Sequence, residues 1–222
     1  MEIIKAVMLN KIYGKGPTAV HAVNNVNLTI NEGEFLAIVG PSGGGKSTLL
    51  HLLGGLDEPS SGQVFIADQD IYKLSYDERA IFRRRKIGFV FQFFNLLSIM
   101  SVRENIMMPV ELDKEYVDDD RVEALARQLG IENRLEHYPH ELSGGEQQRV
   151  AIARALIYKP SIIFADEPTG NLDKKNSEEV INILKLFSKK YGVTVVMITH
   201  DLQLAAMADR IVKMQDGMIT NE

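Results

Sequence analysis

The sequence predicts an α/β fold with a mostly parallel sheet, an N-terminal antiparallel β subdomain and an inserted α-helical subdomain. Residues 35–39, 87–91, 161–165 and 194–198 form short, almost continuously apolar runs that helical patterns separate. Such runs are typical of parallel strands in a sheet that is covered on both faces. Residues 2–36 instead alternate apolar and polar positions, which indicates antiparallel strands. Residues 98–139 show helical spacing without a convincing strand.

The length and composition fit one cytoplasmic domain over residues 1–222. The net charge of −5 gives no general attraction to nucleic acid, so we expect no nucleic-acid partner. The absence of cysteine excludes disulfides and thiolate zinc sites. The N-terminus lacks the apolar core of a signal peptide, and no apolar run approaches the roughly 18 residues of a membrane span.

Turn residues and apolar spacing set the order of the elements. A turn at residues 31–33 leads into the strand at 35–39, and a helix from about residue 46 ends at Gly54. A strand at 63–66 and a helix at 76–85 precede the strand at 87–91. We expect residues 1–97 and 140–222 to form the α/β core and residues 98–139 the helical insertion. Two later helices are predicted from the apolar sets Val122, Leu125, Ala126, Leu129 and Val180, Ile183, Leu184, Phe187.

A phosphate-binding pattern, G-x-x-x-x-G-K-S, follows the strand at 35–39 and opens a helix. Glycines let the backbone wrap closely, so that N–H groups and the helix dipole face an anion. Lys46 is predicted to reach the β- and γ-phosphates, and the Ser47 hydroxyl to bind Mg²⁺. An ordinary glycine-rich turn is the minor alternative. The predicted nucleoside triphosphate-binding residues of this P-loop NTPase core are Gly40, Pro41, Ser42, Gly43, Gly44, Gly45, Lys46, Ser47 and Thr48.

Polar residues follow three other predicted strands at the edge where parallel sheets bind ligands. Asp166 suits a Mg²⁺ ligand, and Glu167 can act as the general base toward an attacking water. Gln92 can offer its amide oxygen to the metal or to that water. His200 can donate a hydrogen bond to a γ-phosphate. Each residue alone also fits a structural role; their common position at strand ends favours a catalytic site with Glu167, His200 and Gln92.

A second anion site is predicted at Ser143, Gly144, Gly145 and Glu146. The Ser-x-x-Glu spacing forms a capping box, and by itself it indicates only a well-capped helix. The two glycines leave the helix N-terminus open to an anion. Two such sites about a hundred residues apart in one chain raise the possibility that two chains share each nucleotide.

The motifs taken together resemble ATP-binding cassette (ABC) proteins. Residues 142–147, Leu-Ser-Gly-Gly-Glu-Gln, are similar to the family's signature motif. The family's other motifs are present in the same order. They are Walker A at residues 40–47, the Q-loop at Gln92, Walker B at 162–167, the D-loop at 171–173 and the H-loop at His200. Tyr13 stands where the family places an aromatic ring that stacks on adenine.

The resemblance implies a head-to-tail homodimer that closes over two ATP molecules with Mg²⁺. The segment 143–145 of one chain would complete the P-loop site of the other, and Asp173 would cross the interface. Glu167 would be the base, His200 would hold the γ-phosphate, and Gln92 would sense the metal. The chain would drive a separate integral membrane permease from the cytoplasmic face of the cell membrane.

Residues 86–97 and 165–173 resemble the lipoprotein-release, macrolide-export and antimicrobial-peptide-resistance group. Phe91, Phe93 and Phe94 are candidates for a permease-docking surface; core packing accounts equally well for Phe91 and less well for the other two. A soluble ABC-type ATPase acting on nucleic acid or ribosomes is the alternative, but such proteins usually carry long coiled-coil insertions or two cassettes. The signature motif and the absence of an N-K-x-D guanine signature argue against a P-loop kinase or GTPase.

Overall fold

The computed structural model describes residues 1–113 and 119–220. The strands in this part of the chain are β1 (Glu2–Tyr13), β2 (Val20–Asn31), β3 (Phe35–Val39), β4 (Ser61–Ile66), β5 (Gln69–Asp70), β6 (Ile87–Phe91), β7 (Ile162–Asp166), β8 (Thr194–Ile198), β9 (Arg210–Gln215) and β10 (Met218–Thr220). The α-helices are α1 (Lys46–Leu53), α2 (Tyr76–Lys86), α3 (Val102–Leu112), α4 (Asp119–Leu129), α5 (Gly144–Leu156), α6 (Lys174–Tyr191) and α7 (Leu202–Ala205).

The strands form two sheets, and this arrangement confirms the predicted α/β fold class. The larger sheet has the order β10-β9-β3-β8-β7-β6. Its strands run parallel, except that β10 pairs antiparallel with β9 at the edge. The smaller sheet has the order β2-β1-β4-β5 and is antiparallel throughout. Its long strands β1 and β2 come from the alternating N-terminal segment, as predicted.

Strand β3 lies between two cores, which explains why all five of its residues are apolar. Phe35, Ala37 and Val39 pack on one face of the sheet with residues of α3, α4, α5 and α6. Leu36 and Ile38 pack on the other face with α1 and the antiparallel sheet. A strand buried on both faces can present polar groups only at its ends, so the site must lie at an edge of this sheet.

Several predicted boundaries agree with the structure, and a few differ. Strand β6 has the predicted bounds, whereas β7 is shifted by one residue and ends with Asp166 itself. Helix α5 begins at Gly144, where the capping box predicts its start. Helices α3 and α4 lie within residues 98–139; residues 114–118 of that segment are outside the described residues. Its assignment as a separate helical insertion stays a prediction.

None of the helices in residues 1–113 and 119–220 combines the length and hydropathy needed to cross a bilayer.

Candidate nucleotide-binding site

The P-loop joins β3 to α1 and lines a cavity of about 780 Å³ at the carboxyl edge of the parallel sheet. Two of its glycines are required by neighbouring backbone. A Cβ atom on Gly45, which has φ = 94°, would stand 2.0 Å from the carbonyl oxygen of Ala22 in β2. A Cβ atom on Gly40 would stand 1.9 Å from the carbonyl oxygen of Met214 in β9. The loop is therefore shaped by contact with both sheets as well as by its fit to phosphate.

Lys46 is held inside the loop that it belongs to. Its Nζ donates to the carbonyl oxygens of Gly40 at 2.9 Å and Pro41 at 2.8 Å, and the residue is 8% exposed. Gly45 precedes α1, and no side chain of the described residues caps this helix. The first N–H groups of α1 are consequently available to an anion in the cavity.

Ser47 and Asp166 meet beside the P-loop. The Ser47 hydroxyl donates to Asp166 Oδ1 at 3.1 Å, and His51 Nε2 lies 3.8 Å from Asp166 Oδ2. Asp166 itself is not among the residues that line the cavity. A hydroxyl and a carboxylate oxygen at this separation suit a hard cation such as Mg²⁺. Across the described residues, no group of three or more His, Asp or Glu side chains could hold a metal alone.

Glu167 and His200 form a pair among the residues that line the cavity. His200 Nδ1 lies 2.9 Å from Glu167 Oε2, and this contact connects the ends of β7 and β8. Glu167 adopts a left-handed backbone conformation with φ = 48°, and its N–H donates to the carbonyl oxygen of Ile198 at 3.1 Å. Such strain in a residue other than glycine clusters at functional sites, where the surrounding structure stabilises it.

Gln92 lines the same cavity and is tied to the D-loop. Asn171 Nδ2 donates to the Gln92 carbonyl oxygen at 2.9 Å, and Gln92 Nε2 donates to Asn171 Oδ1 at 3.4 Å. Gly170 packs against this pair, because a Cβ there would lie 2.7 Å from Gln92 Nε2. The groups predicted after three different strands thus meet at one cavity with the P-loop.

The signature segment lies elsewhere on the chain. Ser143, Gly144, Gly145, Glu146 and Asp173 are not among the cavity-lining residues. Ser143 caps α5: its hydroxyl oxygen accepts from the Glu146 N–H at 3.4 Å, and its own N–H donates to Glu146 Oε2 at 2.8 Å.

An ion pair supports this cap. Arg134 Nε donates to Glu146 Oε1 at 2.8 Å. The hydrogen bonds from Arg134 and Ser143 lower the pKa of Glu146 to about 2. The carboxylate therefore stays charged at physiological pH and holds the helix N-terminus in place.

One wall of the cavity consists of residues that no sequence motif predicts. The start of β2 and the turn between β9 and β10 contribute Val20, His21, Ala22, Asp216 and Gly217. The turn is fixed to the P-loop, because Gly217 N donates to the Gly44 carbonyl oxygen at 3.2 Å. A signal for it was present: Asp216 and Gly217 both have positive φ, as Asp-Gly does in tight hairpin turns.

The fold and the cavity define a P-loop nucleoside triphosphatase. Residues 23–170 match the protein family described as ABC transporter. An uncharacterised ABC transporter ATP-binding protein of Methanocaldococcus jannaschii is 50% identical over 220 residues, which are 98% of this chain and 97% of that protein. The chain belongs to the ABC transporter family and is its ATP-binding, ATP-hydrolysing component.

Other relatives carry more specific names. The lipoprotein-releasing system ATP-binding protein LolD of Psychrobacter arcticus is 46% identical over 97% of this chain and 96% of its own length. The macrolide export ATP-binding/permease protein MacB of Syntrophobacter fumaroxidans is also 46% identical, but this chain spans 32% of its length. These relatives confirm the resemblance to the lipoprotein-release and macrolide-export group, and they favour a transporter over an ATPase of nucleic acid.

Solved structures agree with this assignment. A dimeric bacterial ABC transporter cassette has a TM-score of 0.91 and 42% identity, covering 99% of this chain and 97% of that one. The same cassette in a post-hydrolysis dimer bound to ADP and phosphate has a TM-score of 0.90 and 41% identity.

Proposed function

We propose that this chain hydrolyses ATP in the P-loop cavity with Glu167 as the general base. The observation that carries this proposal is the Glu167–His200 pair in the wall of the cavity that the P-loop also lines, with 2.9 Å between Nδ1 and Oε2. A carboxylate held at that wall can take the proton of a water that attacks the γ-phosphate. His200 orients the carboxylate in the present geometry, and its ring donates to the γ-phosphate once ATP is bound.

The P-loop residues hold the nucleotide in this mechanism. The Lys46 ammonium exchanges the carbonyl oxygens of Gly40 and Pro41 for phosphate oxygens, which carry more charge. Amide groups of α1 and of the loop donate to the phosphates. The Tyr13 ring, at the cavity wall, provides a surface for the nucleotide base.

A magnesium ion is the cofactor that these residues suit. The Ser47 hydroxyl, the Asp166 carboxylate to which it donates, and the Gln92 amide oxygen would hold it. When bound, Mg²⁺ neutralises charge on the phosphate oxygens and orients the transferring group. Because the described residues provide few anionic ligands, the affinity for the metal depends on the phosphates of ATP.

We further propose that two chains share each nucleotide. The signature segment forms the capped N-terminus of α5 and lies away from the cavity of its own chain, so only a second copy can bring it to the phosphates. The similarity to a dimeric cassette supports this arrangement. Asp173, beside the signature segment, would then lie at the interface.

We propose that this dimer drives an integral membrane permease and that the chain lies at the cytoplasmic face of the membrane. The names of LolD and MacB support this partner. A groove between α2, β6, α3 and α5 is a suitable contact surface, with Phe93 and Ile99 exposed nearby at 73% and 84%.

Replacement of the proposed base tests the hydrolytic role. Glu167→Gln keeps the size and hydrogen-bonding capacity of the side chain but cannot accept the proton. We expect ATP affinity within about threefold of wild type and hydrolysis lower by about 100-fold or more, which is the range of a lost general base. Glu132→Gln, a change at an exposed glutamate that does not line the cavity, is the matched control. Hydrolysis by Glu167→Gln at the wild-type rate would refute the assignment.

A further inference from the structure

The hydroxyl end of Tyr13 is fixed by a residue that no motif includes. Tyr13 is the last residue of β1, and its Oη donates to Asp57 Oδ2 at 2.7 Å. Asp57 lies 44 positions later, in the loop between α1 and β4. Burial and the Asp57 carboxylate raise the pKa of Tyr13, so the phenol keeps the proton that it donates.

Lys11 holds the same carboxylate and also approaches the ring. Its Nζ donates to Asp57 Oδ1 at 2.7 Å and lies 4.9 Å from the centroid of the Tyr13 ring. The Lys11 side chain is only 13% exposed, so its charge is largely removed from water. Burial acts against ionisation of Asp57, but hydrogen bonds from Lys11 and Tyr13 lower its pKa overall. The three side chains form one connected charge-assisted group.

The loop that carries Asp57 is itself anchored. Tyr72 Oη lies 2.6 Å from the carbonyl oxygens of both Leu52 and Asp57. Lys11 Nζ also donates to the Glu58 carbonyl oxygen at 2.6 Å, and the Glu58 N–H donates to Asp57 Oδ1 at 2.7 Å. These contacts hold Asp57 in place, so its hydrogen bond can fix the position of the Tyr13 side chain.

We propose that Asp57 and Lys11 are positioning residues that hold the Tyr13 ring as a platform for the base of the nucleotide. This inference rests on the proposed role of Tyr13 at the cavity wall. An exposed tyrosine at a strand end otherwise rotates about its side-chain bonds, and stacking would have to immobilise it. A ring that is already fixed gives the base its contact without that loss, which is the general benefit of preorganisation.

The test compares two ligands that share phosphates but differ in the base. Binding of Mg-ATP and of Mg-tripolyphosphate is measured by calorimetry for wild type, Tyr13→Ala, Asp57→Ala and Lys11→Met. Loss of one stacking contact corresponds to about a 5- to 150-fold weaker Kd for ATP in Tyr13→Ala. We expect Asp57→Ala and Lys11→Met to weaken the binding of ATP by about 3- to 10-fold and the binding of tripolyphosphate by less than about twofold.

Controls separate positioning from damage to the fold. Glu58→Gln changes the neighbouring carboxylate, which pairs with Arg79, and keeps the carbonyl that Lys11 contacts; ATP binding should not change. Asp57→Asn retains an oxygen for Lys11 and Glu58, so its loss should be smaller than that of Asp57→Ala. In steady-state kinetics, the effect of Asp57→Ala should fall on KM rather than on kcat.

Each remaining outcome decides against part of the account. Equal weakening of ATP and tripolyphosphate would mean that Asp57 supports the P-loop and not the base. An unchanged ATP affinity in Asp57→Ala and Lys11→Met, with a loss in Tyr13→Ala, would refute the positioning role alone. No loss in Tyr13→Ala would refute the base platform itself and, with it, this inference.

Discussion

Gly145 of the signature segment packs against its own chain, and this contact leads to a stability prediction that does not involve nucleotide. A Cβ atom on Gly145 would stand 2.3 Å from Asn176 Oδ1 and 2.8 Å from Asn176 Cγ. Asn176 cannot move freely, because its Nδ2 donates to Asp173 Oδ2 at 2.7 Å and its N–H donates to Asp173 Oδ1 at 2.9 Å. The signature helix and the D-loop are thereby packed together within one chain.

The magnitude follows from two opposing effects of Gly145→Ala. Alanine in place of glycine favours a helix by about 1 kcal/mol. Forcing a methyl group into an occupied space costs about 1–3 kcal/mol. We therefore expect the variant to lose about 0–2 kcal/mol of the free energy of unfolding in the wild-type background. In an Asn176→Ala background, where the nearest remaining side-chain atom is Cβ at 3.4 Å, the same change should stabilise by up to about 1 kcal/mol.

Urea unfolding followed by circular dichroism, without nucleotide, gives all four values of this double-mutant cycle. The predicted coupling between the two positions is about 1–3 kcal/mol. Gly144→Ala is the matched control, because the atom nearest to its added Cβ would be Leu172 Cδ2 at 3.4 Å, an ordinary van der Waals contact. If Gly145→Ala had the same effect in both backgrounds, the glycine would not be required by Asn176, and the packing argument would be wrong.

Two further stability predictions concern the P-loop and the signature cap. Gly45→Ala should lower the free energy of unfolding, measured in urea, by about 2–5 kcal/mol. Gly43→Ala, with φ = 76° and no atom within 4 Å of the added Cβ, should lower it by only about 1–2 kcal/mol. Equal losses would contradict the contact with Ala22. Glu146 has a folded-state pKa lowered to about 2, so its stabilisation is present above its unfolded pKa of about 4.3 and disappears as the pH falls toward 2. The free energy of unfolding of wild type should therefore exceed that of Glu146→Gln by about 1 kcal/mol at pH 6, and this difference should shrink steadily from pH 5 downward. A difference that stays constant with pH would contradict the charge-assisted cap.

The sequence was sufficient to predict the parallel sheet and the fact that the ends of its strands meet at one edge. Apolar runs such as that of β6 are short and bounded by turn signals, so their limits are visible locally. Once the strands are parallel, Gln92, Glu167 and His200 must lie at one edge with the P-loop, since the carboxyl ends of parallel strands coincide. Their grouping at one cavity follows from topology, and their chemical roles stay predictions.

Features that depend on long-range contact were not visible in the sequence. The β9–β10 hairpin mixes charged and apolar residues as an edge element, so it lacks the strong apolar run of a central strand. The need for glycine at Gly45 arises from the Ala22 carbonyl of another sheet. The bond between Tyr13 and Asp57 joins residues 44 positions apart, and no local spacing rule links them.

Light scattering of Glu167→Gln, with and without Mg-ATP, tests the central claim that two chains share each nucleotide. This variant is expected to bind ATP and to hydrolyse it very slowly, so the closed state should accumulate. We predict a mass near that of one chain without ATP and near twice that mass with it. A single-chain mass in both conditions, with ATP binding confirmed by calorimetry on the same sample, would contradict the shared site.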